Sequence, residues 1–168
     1  MKKKNSWIEI NYYISIIIVF AMENCNEIVN YLYIGNKHAL ENFYDYELIV
    51  NCTPNIPFPS SHNKHIRIPI MDASSEESNL FNIIQSNNIL EEINEYVSGG
   101  QNVLVNCNQG RQRSCAVVAC YLIKYHNYSP TKAIRIIQYK RPQAFVGSIN
   151  FINTIKMMYS EIHKSKPK

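Results

Sequence analysis

Apolar residues follow two rhythms along this chain. Short runs of aliphatic and β-branched residues, Val29–Ile34, Leu48–Cys52, Ile66–Ile70 and Val103–Val105, have the length and bulk of strands. Longer stretches keep a helical period. Asn79–Val97 carries Leu80, Ile83, Ile84, Leu90, Ile93 and Val97 at helical spacing and stops at Gly99-Gly100, which predicts one long helix. Ser114–Tyr125 is apolar on most sides and predicts a buried helix, Ser129-Pro130 has the cap and first-turn chemistry of a second, and Ile149–Ile162 fits a third. The polar, Pro-rich stretch Thr53–Lys64 reads as a loop. Strands alternating with helices, and helices gathered at the end, predict an α/β fold with a central, mostly parallel sheet flanked by helices.

The first residues behave differently. Lys2, Lys3 and Lys4 ahead of an apolar run from Tyr12 to Met22 imitate a signal peptide, but Ser15 interrupts the run, it is too short to span a bilayer, and no small-residue cleavage pattern follows. Residues 1–27 therefore read as an apolar segment that packs on its own domain or joins two chains, with membrane anchoring as the alternative. Its β-branched residues leave helix or strand open. Residues 28–164 make up one globular domain.

The 168 residues suit a single domain with a sizeable core, and the modest charge with abundant Ile and Tyr excludes a disordered chain. The net charge of +4 hides a division: the first 110 residues sum to −6 and those from Arg111 onward to +10. That asymmetry suggests an anionic partner for the C-terminal half, although Lys124, Lys132, Lys140 and Lys156 read as solvated helix faces. Five cysteines, Cys25, Cys52, Cys107, Cys115 and Cys120, form no CxxC pair and no zinc-like cluster. They are expected to be reduced thiols in a cytoplasmic compartment rather than a disulfide framework or metal site.

The chemistry concentrates in Val103-Leu-Val-Asn-Cys107-Asn-Gln-Gly-Arg-Gln-Arg113-Ser114, a strand, a loop and the start of an apolar helix. A loop that leaves a strand and enters a helix presents backbone N–H groups and the helix N-terminus as an anion site. Gly110 lets the backbone of residues Asn108, Gln109, Arg111 and Gln112 curl around that anion. Cys107 would feel the helix dipole and the neighbouring Arg charges, which favour thiolate. Arg113 has the planar fork that binds two oxygens of a phosphoryl group at once. Together they describe a thiolate nucleophile facing a phosphate cradle. Transfer of phosphate to sulfur also needs an acid for the departing oxygen. Asp72, just past the strand Ile66–Ile70, is one candidate; Glu76 or Glu77 is another, with Asp72 then only capping a turn. Arg111 either adds a second cation beside the phosphate or points to solvent.

With these motifs in place the chain resembles the cysteine-dependent dual-specificity protein phosphatases across about Tyr31 to Ile155. The matching pieces are Leu32-Tyr-Ile-Gly-Asn36, Leu48-Ile-Val-Asn-Cys-Thr53, Ile68-Pro-Ile-Met-Asp72, the signature Cys107 to Ser114, Ala119-Cys-Tyr-Leu-Ile123 and Tyr128-Ser-Pro-Thr-Lys-Ala133. The resemblance implies Cys107 as nucleophile, Arg113 as phosphate clamp, Ser114 as the hydroxyl that helps the thiolate leave, and Asp72 as general acid. It also implies a cysteinyl-phosphate intermediate, no metal or other cofactor, and residues 28–164 as the catalytic domain. Two departures stand out. Asn106 replaces the usual His before the nucleophile, so the Cys107 thiolate is expected to be less strongly favoured than in relatives. Gly147-Ser148 stands where a Pro-Asn pair usually braces the acid's loop.

Phosphoproteins are the expected substrates, with a shallow, permissive site by resemblance. A phospholipid or RNA 5′-phosphate is the rival substrate, drawn from Arg111 and the basic C-terminal half, and an inactive phosphate-binding scaffold is the third reading. Small viral members of the family dimerise through an N-terminal element, which makes residues 1–27 a candidate homodimer contact and a viral source an expectation that suits the Asn- and Ile-rich composition.

Overall fold

The computed structural model describes residues 23–61 and 64–164. The apolar run Tyr12–Met22, with the packing, dimer and membrane readings attached to it, lies outside the described residues. Five strands, β1 (Cys25–Val29), β2 (Leu32–Gly35), β3 (Leu48–Asn51), β4 (His65–Arg67) and β5 (Val103–Asn106), form one sheet in the order β1-β2-β5-β3-β4. β1 and β2 are antiparallel, whereas β2–β5, β5–β3 and β3–β4 are all parallel. The mostly parallel sheet predicted from the element pattern is therefore present. β1 takes in Cys25–Glu27, so the sheet begins inside the segment assigned to residues 1–27.

Alternation along the strands sorts the core into two layers. Leu32, Ile34, Leu48, Val50, Val103 and Val105 face the main core, while Ile49 and Leu104 face a smaller cluster with Ala39, Leu40 and Tyr46. Five helices, α1 (Glu77–Ser86), α2 (Ile89–Ser98), α3 (Arg113–His126), α4 (Pro130–Lys140) and α5 (Ile152–Lys164), follow the strands. α3 is the spine: every residue from Arg113 to Ile123 is buried. The second face is covered by a 3-10 helix, Lys37–Asp45, begun by Asn36, whose side chain accepts from His38 N and Ala39 N.

Four expected elements are corrected. The run Val29–Ile34 is not one strand but the close of β1 and most of β2, reversed at Asn30-Tyr31, where Tyr31 takes φ +67° and its N–H donates to Glu27 Oε1. The single helix Asn79–Val97 is two helices, because Asn88 adopts a left-handed conformation at φ +51° and breaks the ladder. Both halves lay their apolar side on the same core, Leu80 and Ile84 from α1 and Leu90 and Ile93 from α2, so the hydrophobic spacing carries no mark of the break. Ile66–Ile70 pairs only over His65–Arg67, and the last helix opens at Ile152 rather than Ile149. Pro130 sits in the first turn of α4 with Ser129 as its cap, as expected.

Candidate functional site

The three central strands end together. Gly35, Asn106 and Asn51 are neighbours across the sheet, and the residues just past them are knit by Cys107 N donating to Gly35 O (3.3 Å) and Cys52 N to Asn106 O (2.7 Å). The loop from Cys107 to Arg113 therefore rises from the middle of the carboxyl edge, where open α/β sheets place their ligand sites.

Cys107 is buried, and its sulfur accepts from the Gly110 N–H at 3.2 Å and from the Ser114 hydroxyl at 3.4 Å. Burial by itself pushes the thiol up, but hydrogen bonds from the Ser114 side chain and backbone, the Arg113 charge and the Arg111 backbone N–H outweigh it. The net direction is down, toward thiolate. Cys52, Cys115 and Cys120 go the other way, pushed up first by burial, Cys120 to about 12. Only Cys107 among these four buried thiols is prepared as a nucleophile.

Gly110 holds φ +63°, and a Cβ there would lie 2.6 Å from both Gly35 O and Arg141 Nη2. The loop thus packs directly on β2. Arg113 opens α3; its Nη1 donates to Ile70 O at 3.0 Å, while its buried Nε has no hydrogen-bond acceptor among the described residues and stands 3.7 Å from Asp72 Oδ2. Asp72 Oδ1 in turn accepts from Asn150 Nδ2 at 2.9 Å. So the fold brings together Cys107, Arg113, Ser114 and Asp72. The other two acid candidates are engaged elsewhere, Glu76 with Asn79 and Glu77 with Asn153.

The family model for the dual specificity phosphatase catalytic domain matches residues 31–161. The chain belongs to that family. A protein of Invertebrate iridescent virus 6 named as tyrosine phosphatase 123R is 31% identical over 124 residues, 71% of this chain and 81% of the viral protein. The rat phosphatidylglycerophosphatase and protein-tyrosine phosphatase 1 is 54% identical over 43 residues, 26% of this chain and only 22% of that protein, so the match spans about a fifth of the curated relative. The crystal structure of human DUSP28 superposes with a TM-score of 0.74 at 22% identity, covering 84% of this chain and 96% of that one.

Within this dual-specificity phosphatase domain, several site residues escaped the sequence reading. Arg141, which the sequence motifs give no role, is fully buried: its Nε donates to Gly110 O (2.7 Å), Nη2 to Gln109 O (3.3 Å) and Nη1 to Asn26 Oδ1 (2.6 Å). It pulls the cradle carbonyls outward and ties them to β1. Nothing local separates it from Lys140; Pro142 directly after it, closing α4, is the one hint. Gln112 does not turn its side chain into the cradle but holds the loop before α5, donating to Ser148 O and accepting from Asn150 N. Asn150 supplies the bracing that the missing Pro-Asn pair left open. Asn106 is fully buried with neither amide atom hydrogen-bonded among the described residues.

Arg111 leans to the loop's flank, donating to Gln143 O and Gln109 Oε1. There it lines a cleft of about 560 Å³ with Lys37, His38, Asn108 and Glu23.

Proposed function

We propose that this chain is a dual-specificity protein phosphatase that hydrolyses phosphotyrosine and phosphoserine or phosphothreonine through a cysteinyl-phosphate intermediate. The observation that carries the reading is the Cys107 sulfur, hydrogen-bonded by Gly110 N–H and Ser114 Oγ beside a buried Arg113 whose Nε has no hydrogen-bond acceptor among the described residues. A phosphoryl oxygen is the acceptor that nitrogen needs. In the first step the thiolate attacks phosphorus, the S–P bond forms, the P–O bond to the leaving group breaks, and Asp72 gives its proton to the departing oxygen. In the second, water attacks phosphorus while Asp72 takes a proton from it, and the S–P bond breaks with Ser114 hydrogen-bonding the returning thiolate. The backbone N–H groups of 108–113 and Arg113 carry the charge of the equatorial oxygens. The free thiols Cys25, Cys52, Cys107, Cys115 and Cys120 fit a cytoplasmic, reducing location.

One observation favours a second reading. Lys37, His38 and Arg111 converge on the cleft beside the cradle, which suits an anionic phospholipid headgroup, and the rat relative is named as a phosphatidylglycerophosphatase. The test is hydrolysis of 4-nitrophenyl phosphate by the full chain and by Cys107→Ser, followed by a panel of phosphopeptides, phosphoinositides and triphosphate-ended RNA. Turnover lost in Cys107→Ser with phosphopeptides preferred supports the protein phosphatase. Preference for the lipids or RNA transfers the assignment, and no turnover by the unaltered chain makes it a scaffold.

A further inference from the structure

We infer that Glu77 is a positioning residue for Asp72, holding the acid's loop from across the interface of α1 and α5; this rests on the reading of Asp72 as general acid. The acid's segment is anchored at both ends. On the strand side, Arg113 Nη1 binds the carbonyl of Ile70, two residues before Asp72. On the far side stands Glu77, the first residue of α1, separated from Asp72 by one 3-10 turn, Ser74–Glu76. Its carboxylate accepts from Asn153 N at 2.7 Å and from Asn153 Nδ2 at 2.8 Å, and its carbonyl accepts from the buried Thr154 hydroxyl at 2.7 Å.

Asn153 lies in the first turn of α5, where backbone N–H groups have no partner within the helix. Glu77 therefore caps α5 from another helix, with its charge at the favourable end of the dipole. The residues just before that turn carry Asn150, the side chain that donates to Asp72 Oδ1. One carboxylate thus steadies the acid by two routes: directly along 72–77, and through the start of α5 to Asn150. Asp72 itself is partly open to solvent, its side chain 38% exposed, and among the described residues it is fixed by the Asn150 bond and the longer Arg113 contact. Its aim depends on what holds the two segments together.

A general acid matters most when the leaving oxygen is strongly basic, which separates this role from ordinary stabilisation. The readout is kcat/KM of the full chain on phenyl phosphate, a poor leaving group, against 4-nitrophenyl phosphate, a good one, with melting temperature beside it. Asp72→Asn is expected to lose about 100-fold or more on phenyl phosphate and clearly less on the nitrophenyl ester. Glu77→Ala is expected to show the same pattern in smaller form, about tenfold against less than about threefold, and Glu77→Gln, which keeps an oxygen for Asn153 N–H and whose NH2 can donate to the turned Asn153 amide oxygen, to recover to within about threefold on both. Asn153→Ala, which deletes only the side-chain bond, gives the same selective loss if Glu77→Ala fails to fold. Equal losses on both esters, or none, overturn the inference. If Asp72→Asn is selective and the Glu77 and Asn153 variants are not, only the positioning role falls; if Asp72→Asn is not selective, the assignment of the acid falls first.

Discussion

Gly110→Ala tests whether the cradle is ordered by close backbone packing. Alanine at φ +63° costs about 1–2 kcal/mol over glycine from backbone sterics alone. The new Cβ would meet Gly35 O and Arg141 Nη2 at 2.6 Å, so reaching an ordinary contact of 3.4 Å requires the loop to lift by about 0.8 Å. Arg141 can swing only by giving up its bonds to Gln109 O and Asn26, and Gly35 O is part of β2, so the loop must move. That movement stretches the Arg141–Gly110 bond (2.7 Å) and the Gly110–Cys107 bond (3.2 Å) past useful length. A lost hydrogen bond to a charged group adds about 1.5–3 kcal/mol, giving about 3–5 kcal/mol of destabilisation. Displacing the anion donors by this distance should also lower kcat/KM by about 100-fold. Urea unfolding followed by circular dichroism and turnover of 4-nitrophenyl phosphate read the two effects. Gly99→Ala, at φ −79° just past α2, is the control and should change stability by less than about 1 kcal/mol. A Gly110→Ala protein within about 1 kcal/mol and about threefold of the parent would refute the reasoning.

The depressed Cys107 thiol gives a pH signature. Its folded value lies below the unfolded one, so ionised Cys107 contributes stability above the unfolded value and that contribution is lost as pH falls through the folded value. Ser114→Ala removes a donor to the sulfur, so the midpoint of iodoacetamide reactivity should move up and the rate at neutral pH fall by about tenfold, the worth of a hydrogen bond of about 1.4 kcal/mol; an unmoved midpoint would leave Ser114 without influence on the thiolate. Asn106→Leu exchanges two buried amide atoms, without partners among the described residues, for apolar surface of similar size and should raise stability by about 1–2 kcal/mol in urea; a loss of stability would refute this.

The sequence made the site's local parts readable and hid the parts that act over distance. Val103–Asn106, the cradle and α3 are contiguous, so the change from buried strand through a Gly-containing loop to an apolar helix announces the nucleophile and clamp within a dozen residues. Ile49 against Val50, and Leu104 against Val105, alternate between two buried layers, which is why both strands read as continuous apolar runs with no polar face. Asn88 breaks a helix without disturbing its apolar spacing, so periodicity cannot see it. Arg141, Glu77 and Asn150 bond partners 31, 76 and 78 residues away, and no local pattern encodes which charge or amide the fold will bring home. The missing Pro-Asn pair was a true local difference, yet an amide three residues past Gly147 restores the contact from another backbone position.

The charge division along the chain also changes meaning once folded. Of the C-terminal cations, Arg113 and Arg141 are buried in the cradle's support, Lys124 pairs with Glu91 and Lys164 with Glu161. Lys132, Arg135, Lys140 and Lys156 remain as exposed helix faces. The cleft beside the cradle draws Lys37 and His38 from the acidic half of the chain and Arg111 and the buried Arg141 from the basic half, with Glu23 opposing them. An anionic substrate would therefore meet a field set by the few cations at the cradle and its cleft, Lys37, Arg111, Arg113 and Arg141, and not by the exposed helix faces that make up most of the rest of the +10. Lys37→Ala and Arg111→Ala are therefore expected to change the preference between anionic substrates more than Lys132→Ala or Lys156→Ala, since the first pair line the cleft and the second stand on exposed helix faces where salt screens their charge; equal effects in the substrate panel would refute this.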